Sequence, residues 1–179
     1  MSQTETGEKS RSKRGKKPPI VIKTHRRTAP TKLRDIKVDF REQTKLVRYR
    51  LTGKRSGKED LVTLVRQGLP LSSVEKIQKT LKFRDVKPVL ELMGISVRTY
   101  QRRQKEQKHL DSIESDRLYR IAKVETRAAE VFDDEDVAID WLKSPNRALG
   151  ATPISLLDTE AGQEMVERVL TRIEHGVYS

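Results

Sequence analysis

Residues 85–107 read DVKPVLELMGISVRTYQRRQKEQ. Val86, Val89, Leu90 and Met93 recur at spacings of three and four, which predicts a helix opened by Asp85, with Pro88 in its first turn where a missing N–H does little harm. Gly94 breaks that helix, Ile95 is an apolar plug, and Ser96 can cap a second helix over Val97–Gln107. A short helix, a tight glycine turn and a second short helix make a helix-turn-helix pattern. The second helix is polar and basic, with Val97 and Tyr100 as its inward anchors. A recognition helix needs that division, a minimal apolar face to hold it and a polar face for the groove. Arg can donate twice to guanine and Gln can bridge adenine. Arg98, Thr99, Gln101 and Arg102 are therefore the expected base-edge residues, and Arg103, Lys105 and Lys108 the expected phosphate contacts. The same segment also suits a basic surface helix that reads nothing.

Upstream, residues 59–108 complete a DNA-binding part. Leu61, Leu64 and Val65 share a helical face that ends at Gly68 and Pro70. Ser72 with Glu75 matches a capping box ahead of Val74, Ile77 and Leu81, and Phe83 closes the core at that helix's end. Residues 1–58 form a basic arm with 19 Lys or Arg against 5 Asp or Glu. It contains the run SRSKRGKK at 10–17, and Pro18, Pro19 and Pro30 break it. Disorder is expected through about Lys32, with a short docking element allowed after it. The arm suits tracking along phosphates, and equally a solvated tail.

Downstream, residues 109–130 carry Leu110, Ile113, Leu118, Ile121, Ala122, Val124, Ala128 and Ala129 at near-helical spacing. A connecting helix of about 20 residues is predicted, one that reaches Phe132 at its longest. Residues 131–179 are acidic, with 10 Asp or Glu against 4 Lys or Arg. Asp133–Asp136 opens a helix whose apolar face is Val137, Ala138, Trp141 and Leu142, and the acids suit its positive dipole end. Pro145–Asn146 breaks the chain. A last helix from Asp158 or Thr159 carries Met165, Val166, Val169, Leu170 and Ile173, and Gly176 ends it. Trp141, Leu142, Leu156, Leu157, Val166 and Leu170 are the expected core of this module. The predicted fold is all-α: a helix-turn-helix part joined by a long helix to a small helical module, behind a basic, partly disordered N-terminal arm.

Composition bounds the rest. A net charge of +12 over 179 residues favours a polyanionic partner, with nucleic acid first, and the helix-turn-helix pattern makes double-stranded promoter DNA the expected one. The absence of cysteine excludes disulfides and thiolate metal sites. No apolar leader marks the start and no stretch is long enough to span a membrane, so the expected location is the cytoplasm. His25, His109 and His175 are scattered without ligand spacing, and no phosphate loop, nucleotide fingerprint or nucleophile elbow occurs. No enzyme activity, cofactor or metal is expected.

A longer ordered pattern adds to this. Ala138, Trp141-Leu142, Pro145-Asn146, Leu149-Gly150, Thr152-Pro153, Leu156-Leu157, Thr159, Gly162, Val166, Leu170, Arg172-Ile173 and Gly176-Val177 together resemble the toxin-binding C-terminal domain of Xre/MbcA/ParS-type bacterial antitoxins. Gly94-Ile95-Ser96 with Arg98-Thr99 resembles the helix-turn-helix part of the same family, and Leu110, Glu114-Ser115 and Arg117-Leu118 resemble its following helix. Ala151 departs from the pattern, where a second glycine is usual. The resemblance implies an antitoxin that blocks a RES-domain, NAD-consuming toxin and represses its own operon, commonly as a homodimer. Any NAD would belong to the toxin. It implies toxin contacts at Leu149, Gly150, Thr152, Pro153, Gly176, Val177, Tyr178 and Ser179, with Trp141, Leu149 and Pro153 also holding the module together. The residues alone leave two other classes open. One is a stand-alone helix-turn-helix regulator or nucleoid-associated protein with no toxin partner; the other is a scaffold that binds different partners.

Overall fold

Apolar positions three and four residues apart recur along the chain, and helices meet that spacing throughout. The computed structural model describes residues 40–57 and 59–176. Among the described residues there are eight α-helices, one 3-10 turn and no strand. In order they are α1 (Phe40–Thr52), α2 (Leu61–Gln67), α3 (Ser72–Thr80), α4 (Lys87–Met93), α5 (Val97–Lys105), α6 (Ser112–Phe132), α7 (Glu135–Lys143), the 3-10 turn Pro153–Leu156, and α8 (Glu160–Glu174). The fold is all-α, as expected.

The 21-residue helix α6 is the spine. Asp111 and Glu114 start it with a reciprocal capping box, in which the Asp111 carboxylate accepts from Glu114 N and the Glu114 carboxylate from Asp111 N. Leu118, Ile121, Ala122, Val124 and Ala128 are fully buried along it, against α1, α2, α4, α7 and α8. Ile113 departs from the predicted stripe; it is 65% exposed on the first turn.

Helix α1 belongs to this body. Val47 and Leu51 are buried where the helix packs on α3 and α6, and each such side chain contributes about 1.5–3 kcal/mol. The short docking element allowed in the arm is therefore a 13-residue helix. The basic run at 10–17 and the rest of residues 1–39 lie outside the described residues. Arg48 and Arg50 complete the docking. Arg48 is 9% exposed and donates to the Glu59 carbonyl, while Arg50 reaches the carboxylates of Glu125 in α6 and Glu135 in α7.

Two local expectations are corrected. Ser72 does not cap α3. Leu71 already has helical angles, and backbone bonds from Ser73 N to Pro70 O and Val74 N to Leu71 O close the first turn. Glu75 is thereby free to turn to α5. In α7 the buried face is Ala138, Ile139 and Leu142, while Val137 is 37% exposed. Asp134, not the whole acidic run, is the cap: its Oδ1 accepts from Asp136 N and Val137 N.

Candidate nucleic-acid and partner-binding surfaces

The turn between α4 and α5 forms as the sequence predicts. Gly94 takes the left-handed conformation at φ 70°. Ile95 N donates to Leu90 O and Gly94 N to Glu91 O, the two bonds of a Schellman closure. Ile95 is buried. Ser96 caps α5 by accepting from Thr99 N at 3.0 Å. Its hydroxyl also donates to Thr99 Oγ1 at 2.9 Å, so the Thr99 proton is free to meet a phosphate or a base acceptor.

Tyr100 is the single buried side chain of α5. Its hydroxyl donates to Glu75 Oε1 at 3.3 Å. Burial, then the Glu75 charge, pushes the phenol up to about 12, so it stays a neutral donor. Val97, expected as the second anchor, is 39% exposed; one large ring with a polar tip does the holding. On the other side of α5, Arg98, Thr99, Gln101, Arg102 and Lys105 line a shallow open depression. Arg98, Gln101 and Lys105 have no side-chain hydrogen bond or ion pair among the described residues.

Two expected phosphate contacts are placed differently. Arg103 is turned inward, paired with the Glu114 carboxylate at the start of α6, and its Nη2 lies 3.8 Å from Asp111 Oδ2. With the side chain only 20% exposed, Arg103 fastens the end of α5 to α6. Lys108 pairs with Glu106 at 2.9 Å but stays 67% exposed, and such surface pairs exchange readily for another anion.

A second polar tie was missed by sequence reasoning. Arg117 Nη1 in α6 donates to Met93 O at 2.8 Å, satisfying a carbonyl at the end of α4 that no intrahelical N–H reaches. A Cβ at Gly94 would lie 2.6 Å from the same Nη1, the movable end of a long side chain, so it is the left-handed angle that calls for glycine there. Glu114 was more legible, because D-x-x-E ahead of an apolar run is a helix-start signature.

The C-terminal module is built on α7, the 3-10 turn and α8 around the second half of α6. Leu142, Leu157, Val166 and Leu170 are buried as expected. Trp141 and Leu156 are only partly buried against this core, and the Trp141 ring sits tilted beside Phe132 with centroids 5.5 Å apart. Met165 is 40% exposed on α8. Thr159 caps α8 through Gly162 N, and a Cβ at Gly162 would meet Leu156 O at 2.0 Å, so only glycine lets the 3-10 turn come this close. Asn146 shapes the connection. Its Oδ1 accepts from Ala148 N and Leu149 N, its N donates to Ala151 O, and its O accepts from Gly150 N. This holds Leu149 half-buried, Gly150 exposed at φ 67°, Thr152 partly covered and Pro153 buried. Gly176, exposed at φ 68°, follows α8. Val177, Tyr178 and Ser179 lie outside the described residues.

Residues 60–123 match the antitoxin Xre-like helix-turn-helix domain. Residues 127–176 match the antitoxin Xre/MbcA/ParS C-terminal toxin-binding domain. An Antitoxin Xre of Photorhabdus laumondii is 39% identical over 121 residues, covering 66% of this chain and 81% of the relative. The chain belongs to the Xre antitoxin family. A Yersinia enterocolitica Antitoxin Xre is 31% identical, again over 66% of this chain and 81% of the relative. A Sphingobium protein named Prs ADP-ribosylating antitoxin is 26% identical over 70% of this chain and 84% of its own length. The family's two domains fall on the two surfaces described, and α6 crosses from one to the other. The HTH domain implies a DNA partner and the C-terminal domain a toxin. Among the described residues no group of His, Asp and Glu is arranged to hold a metal ion, and no helix is long and apolar enough to cross a membrane.

Proposed function

We propose that this protein is the antitoxin of a bacterial type II toxin–antitoxin pair. Its module at 131–179 binds and blocks a RES-type, NAD-consuming toxin, and its part at 59–108 represses its own operon by binding promoter DNA in the cytoplasm. The observation that carries the reading is the union, in one helical body, of the family's toxin-binding domain with a helix whose basic face is open. The Sphingobium relative is named for ADP-ribosylation, a reaction whose donor is NAD, and this supports an NAD-consuming partner.

Arg98, Thr99, Gln101 and Arg102 meet base edges, and Lys105 and Lys108 meet phosphates. Arg103 holds α5 in place. Leu149, Gly150 and Thr152 form one toxin-facing surface on the Asn146-braced turn, and buried Pro153, expected among the toxin contacts, supports it from beneath. Gly176, exposed after α8, is a further toxin contact together with Val177, Tyr178 and Ser179, which lie outside the described residues. Exposed Met165 with half-buried Val169 and Ile173 on α8 supplies an apolar stripe for a second copy, and a dimer would set two α5 helices at a fixed spacing on a palindromic operator.

The test is co-expression with a RES-type toxin, reading growth and cellular NAD. The full chain restores both, and a chain ending at Gly176 does not, while still binding promoter DNA. Inhibition that survives the truncation removes the chain-end contact. A full chain that protects against no such toxin, yet binds DNA, leaves a stand-alone regulator.

A further inference from the structure

We propose that Arg117 of α6 is a positioning residue for DNA reading: it fixes the turn at Gly94–Ser96, so that the helix leading into the partner-binding module sets the angle at which α5 meets the groove. The inference rests on the DNA-reading role of α5 proposed above.

Helix α5 has nine residues and one buried side chain, Tyr100. Apolar packing through a single ring resists translation well and tilting poorly, so polar ties must orient the helix. Three are present. Tyr100 reaches Glu75 of α3. Arg103, near the C-terminal end of α5, is held by Glu114. Arg117 grips Met93 O at 2.8 Å, next to the turn that leads into the N-terminal end. The last two originate in α6, from residues three apart on one face of that helix. The Arg117 charge also sits at the C-terminal end of α4, where the helix dipole favours a cation. A neighbouring bond, Leu69 N to Ser115 Oγ at 2.8 Å, pins the same turn of α6 to the segment before α3.

Base readout by Arg and Gln depends on bidentate geometry, and a supporting shell has to hold such donors within about 0.5 Å and 10–20°. Phosphate contacts from long, exposed side chains tolerate far more. Removing the Arg117 tie therefore acts on discrimination and spares general attraction to DNA. A residue that served stability alone would weaken both equally.

The experiment uses the full chain and two duplexes. One is enriched from a random library with the wild-type protein, and the other is a scramble of the same composition. Arg117→Ala lowers affinity for the enriched duplex on the order of tenfold, leaving affinity for the scramble and its salt slope unchanged. Arg117→Lys recovers part of the loss, since an ammonium can still donate to Met93 O. Glu114→Gln shifts discrimination in the same direction, and carries the test with Arg117→Lys if Arg117→Ala unfolds. Equal weakening on both duplexes, or no change on either, overturns the proposal. A wild-type protein that enriches no duplex refutes the DNA-reading role itself, and the positioning role falls with it.

Discussion

Glu125 ties the stability of this fold to pH. Its side chain is 1% exposed in the middle of α6. Arg50 Nε lies 3.0 Å from its Oε2, off the line of a hydrogen bond. Burial pushes the carboxyl up, the Arg50 charge pulls it down, and Glu135, which shares Arg50, pushes it up again, so that together they raise it from its ordinary 4.5 to about 7. Between these two values the folded chain holds a proton that the unfolded chain has released. The contribution is therefore full below about pH 4.5 and lost as pH rises through about 7. At about 1.4 kcal/mol per pH decade, the whole span is on the order of 3 kcal/mol. Glu125→Gln keeps the shape of the side chain and removes the titration. Urea unfolding of the full chain at pH 5, 6, 7 and 8 isolates the effect as the difference between the two proteins. Wild type loses most of that ~3 kcal/mol relative to Glu125→Gln across this range. Parallel profiles for the two proteins would mean that Glu125 is not desolvated in the way α1 and α6 enclose it.

Other outcomes follow from single contacts. Gly162→Ala places a Cβ against Leu156 O and destabilises the C-terminal module by about 3 kcal/mol, read as a lower Tm together with lost toxin binding. Tyr100→Phe removes the bond to Glu75 and lowers unfolding stability by about 1 kcal/mol, with calorimetry as the check. Arg98→Ala or Arg102→Ala reduces discrimination against mismatched operators, whereas Lys105→Ala weakens all duplexes alike and lowers the salt slope by about 1. Salt titrations of binding separate the two classes.

Much of this was legible because the relevant signals are local. The Gly94-Ile95-Ser96 turn, the cap at Thr159 and the length of α6 each follow from residue types a few positions apart. Arg103 was misplaced because nothing local marks it: an arginine on a basic helix looks alike whether it faces water or a carboxylate eleven residues away. Val97 and Trp141 failed for a related reason. Periodicity names the face of a helix that turns inward, but how much of that face is covered depends on where the neighbouring helices stop.

Glu125 shows both what the sequence contained and what it withheld. Leu118, Ile121, Ala122 and Glu125 fall on one buried stripe of α6, so a carboxylate occupies an apolar position, and that can be seen by counting. An unpaired charge there would be expensive, so the count also demands a cation from elsewhere in the chain. It does not say which. Arg50 stands 75 residues away in a helix that precedes both family matches, within a segment whose charge reads as a DNA-tracking tail. Burying Val47 and Leu51 is what brings Arg50 to Glu125, and the partner could be identified only once α1 was seen to be part of the body. The consequence is testable in reverse. If α1 docks chiefly through those two apolar side chains, Leu51→Ala should release it, let water reach Glu125, bring the carboxyl back toward its ordinary range, and flatten the loss of stability with rising pH. A profile as steep as that of wild type would show that Glu125 stays buried without the packing of Leu51.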